Sequence, residues 1–201
     1  MNGPINNRSW NVLNWNIREI NSSNKWLALG HKIEESGCSI VCLQETKLSF
    51  IDRAMVAQCC GNDFSEFAYL PAEGGRGGVL LAWKGNHYSL PGVTILTHAV
   101  AVTGCNAKGE QLGIIGVYGP QNWDEKVQFL QELRHTVQNS VSVGVALALV
   151  GDFNFITRAA DKNNSRINRR CITAFRCFIN ELQLKDLDLH GHRYTWSNEQ
   201  D

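Results

Sequence analysis

Hydrophobic and polar positions along the chain follow two periods, one typical of short buried strands and one typical of amphipathic helices. Strands are predicted at residues 12–17, 39–43, 79–83, 111–118 and 145–150, with a further strand beginning at 193–196. Helices are predicted at residues 25–36, 122–139 and 170–182. Gly37 is expected to end the first helix and Asn122 to cap the second. This alternation of strands and helices indicates an α/β domain.

A glycine-rich stretch, residues 74–78, leads into the predicted strand at 79–83. It lacks the Lys-Ser/Thr ending and the following helix that a phosphate-binding P-loop requires. We therefore interpret it as a hairpin turn.

Length and composition fit one domain spanning residues 1–201, because 43% of the residues are hydrophobic and can form a sizeable core. The 19 basic and 19 acidic residues give no net charge, which neither indicates nor excludes a nucleic-acid partner. The polar first residues and the absence of a long apolar run lead us to expect an intracellular chain without a signal peptide or membrane span.

The chain has seven cysteines, an odd number, and no Cys-x-x-Cys pair. Several of them lie among apolar residues, as Cys42 does. Buried, reduced thiols are therefore expected rather than a zinc site or a disulfide framework.

Polar side chains recur within or directly after the apolar strands. They are Asn16, Glu45, Tyr118, Asp152 and Asn154. Taken singly, each has an ordinary interpretation, such as a turn residue, a cap or strand filling. Several strands that deliver polar groups to one edge of a sheet form a site, and the ordered set is therefore better explained by function.

The residue types at these positions suit metal-assisted phosphate chemistry. Mg²⁺ prefers oxygen ligands and is usually held by one or two carboxylates, which Glu45 and Asp152 can provide. The amides of Asn16 and Asn154 and the hydroxyl of Tyr118 can donate to phosphate oxygens without adding negative charge.

These motifs resemble those of the endonuclease/exonuclease/phosphatase superfamily, which has the DNase I-like fold. The matching segments are Trp15-Asn16-Ile17-Arg18, Leu43-Gln44-Glu45-Thr46-Lys47, Val117-Tyr118-Gly119-Pro120, Gly151-Asp152-Phe153-Asn154 and Tyr194-Thr195-Trp196-Ser197. The resemblance implies a four-layer α/β sandwich of two packed mixed sheets flanked by helices. It also implies that Glu45 and Asn16 lie at a Mg²⁺ ion (or Mn²⁺), that Asp152 orients or activates the attacking water, and that Asn154 and Tyr118 hold the phosphate.

Within the superfamily, the chain is most similar to the endonuclease domain of LINE-type (non-LTR) retrotransposons. The similarity rests on residues 13–18, on 151–154 followed by 161–164, and on 194–198. It implies a DNA substrate, a reverse-transcriptase domain on the same longer polypeptide and a nuclear location. A phosphatase, a sphingomyelinase or a deadenylase of the same fold remains an alternative, because substrate choice depends largely on loops.

The chain departs from the family pattern at its end. The family's terminal Ser-Asp-His motif is absent from the 201 residues, and His190 and His192 precede the Tyr-Thr-Trp segment and are interpreted as loop residues. We therefore expect a domain cut short at its C-terminus, without its final strands. The resulting hypothesis is that this chain hydrolyses DNA poorly or not at all, and a non-catalytic remnant of the fold is the alternative.

Basic residues are concentrated directly after the Gly-Asp-Phe-Asn motif. Between positions 158 and 176 the only acidic residue is Asp161, and the basic ones are Arg158, Lys162, Arg166, Arg169, Arg170 and Arg176. The first four of these are candidate contacts to the DNA backbone beside the cut. A solvated surface loop is an equally good interpretation.

Overall fold

The structure is a computed structural model, and it describes residues 11–20, 22–74, 77–158 and 168–187. In chain order the elements are β1 (Val12–Asn16), α1 (Ser23–Ser36), β2 (Ile40–Gln44), α2 (Arg53–Cys60), β3 (Glu66–Leu70), β4 (Val79–Trp83), β5 (Tyr88–Ile95), β6 (Ala99–Asn106), β7 (Gln111–Tyr118), α3 (Trp123–Ser142), β8 (Ala146–Asp152) and α4 (Arg169–Glu181).

The strands form two mixed sheets that pack against each other and are flanked by helices, as predicted. The first sheet has the order β1-β2-β4-β3, and the second has the order β5-β6-β7-β8. Each contains one parallel pair, β1 with β2 and β7 with β8, and its other pairs are antiparallel. A helix connects the two strands of each parallel pair, α1 in the first sheet and α3 in the second.

Successive side chains of a strand point to opposite faces of the sheet, so one strand contributes to two apolar layers. On β2, Val41 and Leu43 pack with the α1 side, whereas Ile40 and Cys42 belong to a second apolar cluster that joins the two sheets. A third cluster packs β7 against α3 and α4 through residues such as Phe129. The two sheets approach closely at Gly116, where an added Cβ would lie 2.9 Å from the Cys42 sulfur.

The predicted elements are confirmed, with two strands at their predicted bounds and the other elements shifted by one to three residues. The sequence patterns missed α2, β3, β5 and β6. The eight-residue α2 is short, and β5 contains Pro91 and Gly92 and is mostly exposed, so neither has a strong periodic signal. The strand expected at 193–196 lies outside the described residues.

The glycine-rich stretch at 74–78 connects the antiparallel neighbours β3 and β4, which agrees with the predicted hairpin, although residues 75 and 76 are outside the described part. Gly78 has φ +80°, a backbone conformation that residues other than glycine rarely adopt. No helix among the described residues is long and apolar enough to cross a membrane.

All seven cysteines are free, as expected, and five of them are buried. Burial raises the pKa of the Cys42 thiol to about 12. Cys177 is exposed and Cys105 is partly exposed, so the expectation of burial fails at these two positions.

Candidate active site

The two parallel strand pairs end at one place and bring polar side chains together there. In the first sheet, Asn16 is the last residue of β1 and Glu45 directly follows β2. In the second sheet, Tyr118 and Asp152 end β7 and β8 and face each other in register. Because the strands of each pair are parallel, their carboxyl ends lie side by side, and the packing of the sheets joins the two ends.

The amide of Asn16 links the two sheets. Its Nδ2 donates to Glu45 Oε1 at 2.9 Å and to Asp152 Oδ2 at 3.2 Å. Its Oδ1 accepts from the backbone N–H of Arg18 at 3.3 Å, which fixes the direction of the amide. One neutral side chain thus holds two carboxylates that are 107 positions apart in the sequence, at residues 45 and 152.

Tyr118 keeps its proton. Burial is the main cause that raises its pKa above the ordinary value, followed by its hydrogen bond to Glu45 and by the negative charges of Glu45 and Asp152. The hydroxyl is therefore a neutral donor at any physiological pH.

Asn154 makes hydrogen bonds to residues at the ends of both β7 and β8. Its backbone N–H donates to Asp152 Oδ1 at 3.0 Å, and its Nδ2 donates to the carbonyl of Gly119 at 2.5 Å. Both Asp152 oxygens therefore accept hydrogen bonds, Oδ1 from Asn154 and Oδ2 from Asn16. The Asn154 amide uses one hydrogen for Gly119, and an amide nitrogen has two.

The backbone around these residues adopts a conformation that is unfavourable for residues with a side chain. Among the described residues, six that are not glycine have positive φ, and five of them lie in the segments that follow β1, β2 and β8: Arg18 (48°), Glu19 (80°), Glu45 (54°), Lys47 (58°) and Asn154 (54°). Strained backbone of this kind concentrates at functional sites, where surrounding contacts hold it. No periodicity or motif in the sequence indicated it.

Gly77 forms a wall of the site that sequence reasoning missed. An added Cβ would lie 2.8 Å from Tyr118 Cε1 and 3.1 Å from Glu45 Cα, so no side chain fits without displacing these groups. The sequence suggested only a hairpin turn at this position. Its role is visible only when the hairpin is placed against the ends of β2 and β7.

A groove of about 550 Å³ opens beside Tyr118, between the start of α3 and the start of β6. It is lined in part by His98, Glu125 and Glu132, none of which was a candidate from the sequence. His98 is buried and its Nε2 lies 3.7 Å from a carboxylate oxygen of Glu125.

The predicted basic surface is only partly described. Arg158 and Arg169 are exposed, and Arg169 is the first residue of α4. Lys162, Arg166, His190 and His192 lie outside the described residues.

The donor set at the strand ends fits a hard divalent cation. Glu45 and Asp152 present carboxylate oxygens to the same Asn16 nitrogen, and Mg²⁺ is typically held by one or two carboxylates, with water and substrate as its other ligands. The part of the chain that the structure describes holds no cluster of three or more His, Cys, Asp or Glu residues that would suit a cation bound entirely by protein.

The chain matches a known family of proteins. A family model described as "Endonuclease/Exonuclease/phosphatase family" matches residues 9–200. No curated protein matches the chain significantly.

Several solved structures are similar to the chain. An AP endonuclease from Archaeoglobus fulgidus has a TM-score of 0.65 and 18% identity over 86% of this chain and 71% of that one. The catalytic domain of Xenopus laevis APE2 has a TM-score of 0.61 and 16% identity over 85% of this chain and 66% of that one. TDP2 from C. elegans has a TM-score of 0.51 and 15% identity over 78% and 50%. The chain thus spans between half and about seven tenths of the length of these structures, and at such identities the similarity concerns the fold.

Proposed function

This chain belongs to the endonuclease/exonuclease/phosphatase family, and we propose that its strand-end site hydrolyses phosphodiester bonds in DNA with the help of a divalent cation, Mg²⁺ or Mn²⁺. The observation that carries the proposal is the Asn16 amide, which joins Glu45 of one sheet to Asp152 of the other beside a protonated Tyr118. Similar structures support the choice of DNA, since they include AP endonucleases and a TDP2 complexed with single-strand DNA product.

Each residue has a role in this proposal. Glu45, with Asn16 beside it, would hold the cation, which when bound neutralises charge on the phosphate and on the leaving oxygen. Asp152 accepts the proton of the attacking water as a general base, oriented through both of its oxygens. The second amide hydrogen of Asn154 donates to a phosphate oxygen that gains charge. The Tyr118 hydroxyl has a single hydrogen, and it would donate to the phosphate by exchanging its hydrogen bond to Glu45 for one to the substrate.

The proposal extends to a nuclease of LINE retrotransposon type. Its support is the sequence resemblance, in which residues 13–18 and 151–154 are central. The DNA backbone would be contacted by basic residues that follow the Gly-Asp-Phe-Asn motif in the sequence. These are the exposed Arg158 and Arg169, with Lys162 and Arg166 between them in the sequence. A reverse-transcriptase domain on a longer polypeptide and a nuclear location belong to this same hypothesis.

A non-catalytic remnant of the fold is the second candidate. One observation favours it, which is that the 201 residues contain no Ser-Asp-His motif. Loss of one preorganised donor to a reacting phosphate typically lowers the rate by about 10²–10³. Lower activity of the 201-residue chain than that of family members with this motif is therefore part of the proposal.

Nicking of supercoiled plasmid by the purified chain, with and without Mg²⁺, tests the proposal. The comparison variant is Glu45→Ala, and Glu35→Ala is the matched control because Glu35 is an exposed α1 residue that pairs with Lys32. We expect weak nicking that needs Mg²⁺, disappears in Glu45→Ala and persists in Glu35→Ala. A folded chain that nicks no better than Glu45→Ala would support the remnant.

The DNA contact is tested separately by Arg169→Glu. If the basic surface binds phosphates, this variant binds DNA more weakly and its affinity depends less steeply on salt concentration, because fewer counterions are released. An unchanged salt dependence would indicate a solvated loop instead.

A further inference from the structure

Lys25, which belongs to none of the motifs, binds the loop that carries Asn16. Its Nζ, from the first turn of α1, donates to the carbonyl of Ile17 at 3.3 Å, to that of Glu19 at 2.6 Å and to that of Arg18. An ammonium group has three hydrogens, and here they meet three consecutive carbonyls. Such charge-assisted bonds are about twice as strong as neutral ones.

The loop bound by Lys25 controls both Asn16 and Glu45. Arg18 and Glu19 have positive φ, and this conformation directs the Arg18 N–H to Asn16 Oδ1 and the Glu19 N–H to the carbonyl of Glu45 at 2.6 Å. The next residue, Ile20, donates to the carbonyl of Thr46 at 3.1 Å. The Lys25 ammonium and the Asn16 side chain thus bind the same short segment, residues 17–19, in which Arg18 and Glu19 have positive φ.

Lys126 has the corresponding position in the second sheet. It lies in the first turn of α3, it is buried, and its Nζ donates to the carbonyl of Asn154 at 2.6 Å. The same ammonium lies 4.8 Å from the centre of the Phe155 ring, a cation–π contact. Asn154 has φ 54° and donates through its backbone to Asp152, so Lys126 holds the strained residue that orients the proposed base.

We propose that Lys25 and Lys126 are a pair of positioning residues, one in each helix that joins a parallel strand pair, and that they hold the strained loops of Asn16 and Asn154 in the geometry needed for hydrolysis. This inference rests on the proposed function for its effect on rate. Its structural content, that two ammonium groups lock two loops, is independent of activity.

Replacement of each lysine by methionine tests the pair, because methionine keeps an apolar stem and removes the ammonium group. Lys32→Met is the matched control, since Lys32 is an exposed α1 residue paired with Glu35. For Lys25→Met and Lys126→Met we expect kcat to fall by roughly 10- to 100-fold, the effect of a displacement of about 1 Å. KM for DNA should stay within about two-fold, because neither lysine touches the substrate in this proposal.

Lys25→Ala allows a test by chemical rescue. The variant leaves three convergent carbonyls, which added methylammonium or ammonium can bridge by hydrogen bonds. Tetramethylammonium at the same concentration controls for salt, because it has no N–H group. Recovery of nicking with methylammonium, and none with tetramethylammonium, supports the role of the ammonium; equal responses to both salts overturn it. The conservative variant Lys126→Arg should recover part of the rate that Lys126→Met loses.

Amide hydrogen exchange separates this inference from the proposed function. We expect the Arg18 and Glu19 N–H groups to exchange faster in Lys25→Met, and the Asn154 N–H to exchange faster in Lys126→Met, while the amides of β4 are unchanged. If the wild-type chain does not nick DNA, the proposed function fails and these exchange rates alone decide the inference. Exchange at the three amides equal to that of the wild type, or faster exchange throughout the chain, would overturn it.

Discussion

The two strand–helix–strand units, β1–α1–β2 and β7–α3–β8, deliver polar residues to the same site but support them differently. Every residue of β2 is buried, with a neighbouring strand on each side. Every residue of β8 is only partly buried, and among the strands that the structure describes β8 ends the order of its sheet. Glu45 therefore follows a fully buried strand, whereas Asp152 ends a partly buried one. Both carboxylates accept a hydrogen bond from Asn16, and Asp152 accepts a further one from the backbone of Asn154.

This difference shows why the linking amide matters. Asn16 belongs to the first unit, yet it fixes one oxygen of the carboxylate in the second. The well-packed unit thus stabilises the less buried one across the sheet interface. Substitutions that destabilise the second unit should therefore displace the Asp152 carboxylate more than the Glu45 carboxylate.

The largest expected effect is loss of either carboxylate. Glu45→Gln and Asp152→Asn should each lower the nicking rate by about 10³-fold or more, and the double variant should be little worse than the poorer single one, because groups that act as a unit are not additive. Single-turnover nicking rates at saturating Mg²⁺ provide the measurement. A double variant whose loss is the product of the two single losses would mean that the two units act independently.

The next effect concerns stability and compares the two strands directly. Leu43 in β2 is fully buried, whereas Leu149 in β8 is partly buried. Leu43→Ala should lower the free energy of unfolding by about 2–5 kcal/mol, and Leu149→Ala by roughly half as much, because less apolar surface is lost and water can fill the space. Urea unfolding followed by circular dichroism measures both. Equal losses would contradict the difference in support between the units.

Much of this arrangement could be predicted from the sequence, and the reason lies in particular segments. The strands that end in Asn16, Tyr118 and Asp152 are apolar runs followed directly by polar groups, a local signal. The Asn16 bridge and the wall formed by Gly77 depend on contacts between distant segments, which no local pattern encodes. Lys25 and Lys126 were missed for the same reason, since a lysine in the first turn of a helix ordinarily suggests a solvated charge.

A smaller effect is expected at the wall that the two units share. Gly77→Ala places a methyl group against Tyr118 and Glu45. We expect the nicking rate to fall by roughly 10- to 100-fold through displacement of these groups, with a modest stability loss of about 1–3 kcal/mol from overpacking.

Gly30→Ala is the matched control for Gly77→Ala. Gly30 lies within α1, and nothing would lie within 4 Å of its added Cβ. This variant should keep the wild-type rate and gain about 0.5–1 kcal/mol of stability, because alanine favours the helix. Thermal melts and nicking assays of both variants provide the comparison. Wild-type nicking by Gly77→Ala would remove Gly77 from the site.

The smallest effect is the pH dependence contributed by Tyr118, which touches both units. Its pKa in the folded chain is raised by burial and by the carboxylates of Glu45 and Asp152, whereas in the unfolded chain it is near the ordinary value of about 10. Below that pH both states keep the proton, and Tyr118 adds no pH dependence. As the pH rises above about 10, the unfolded chain releases the proton first, so the free energy of unfolding falls. Tyr118→Phe should make the decline above pH 10 shallower, as measured by urea unfolding at a series of pH values. A decline as steep as that of the wild type would show that neither burial nor the two carboxylates raise the pKa of this hydroxyl in the folded chain.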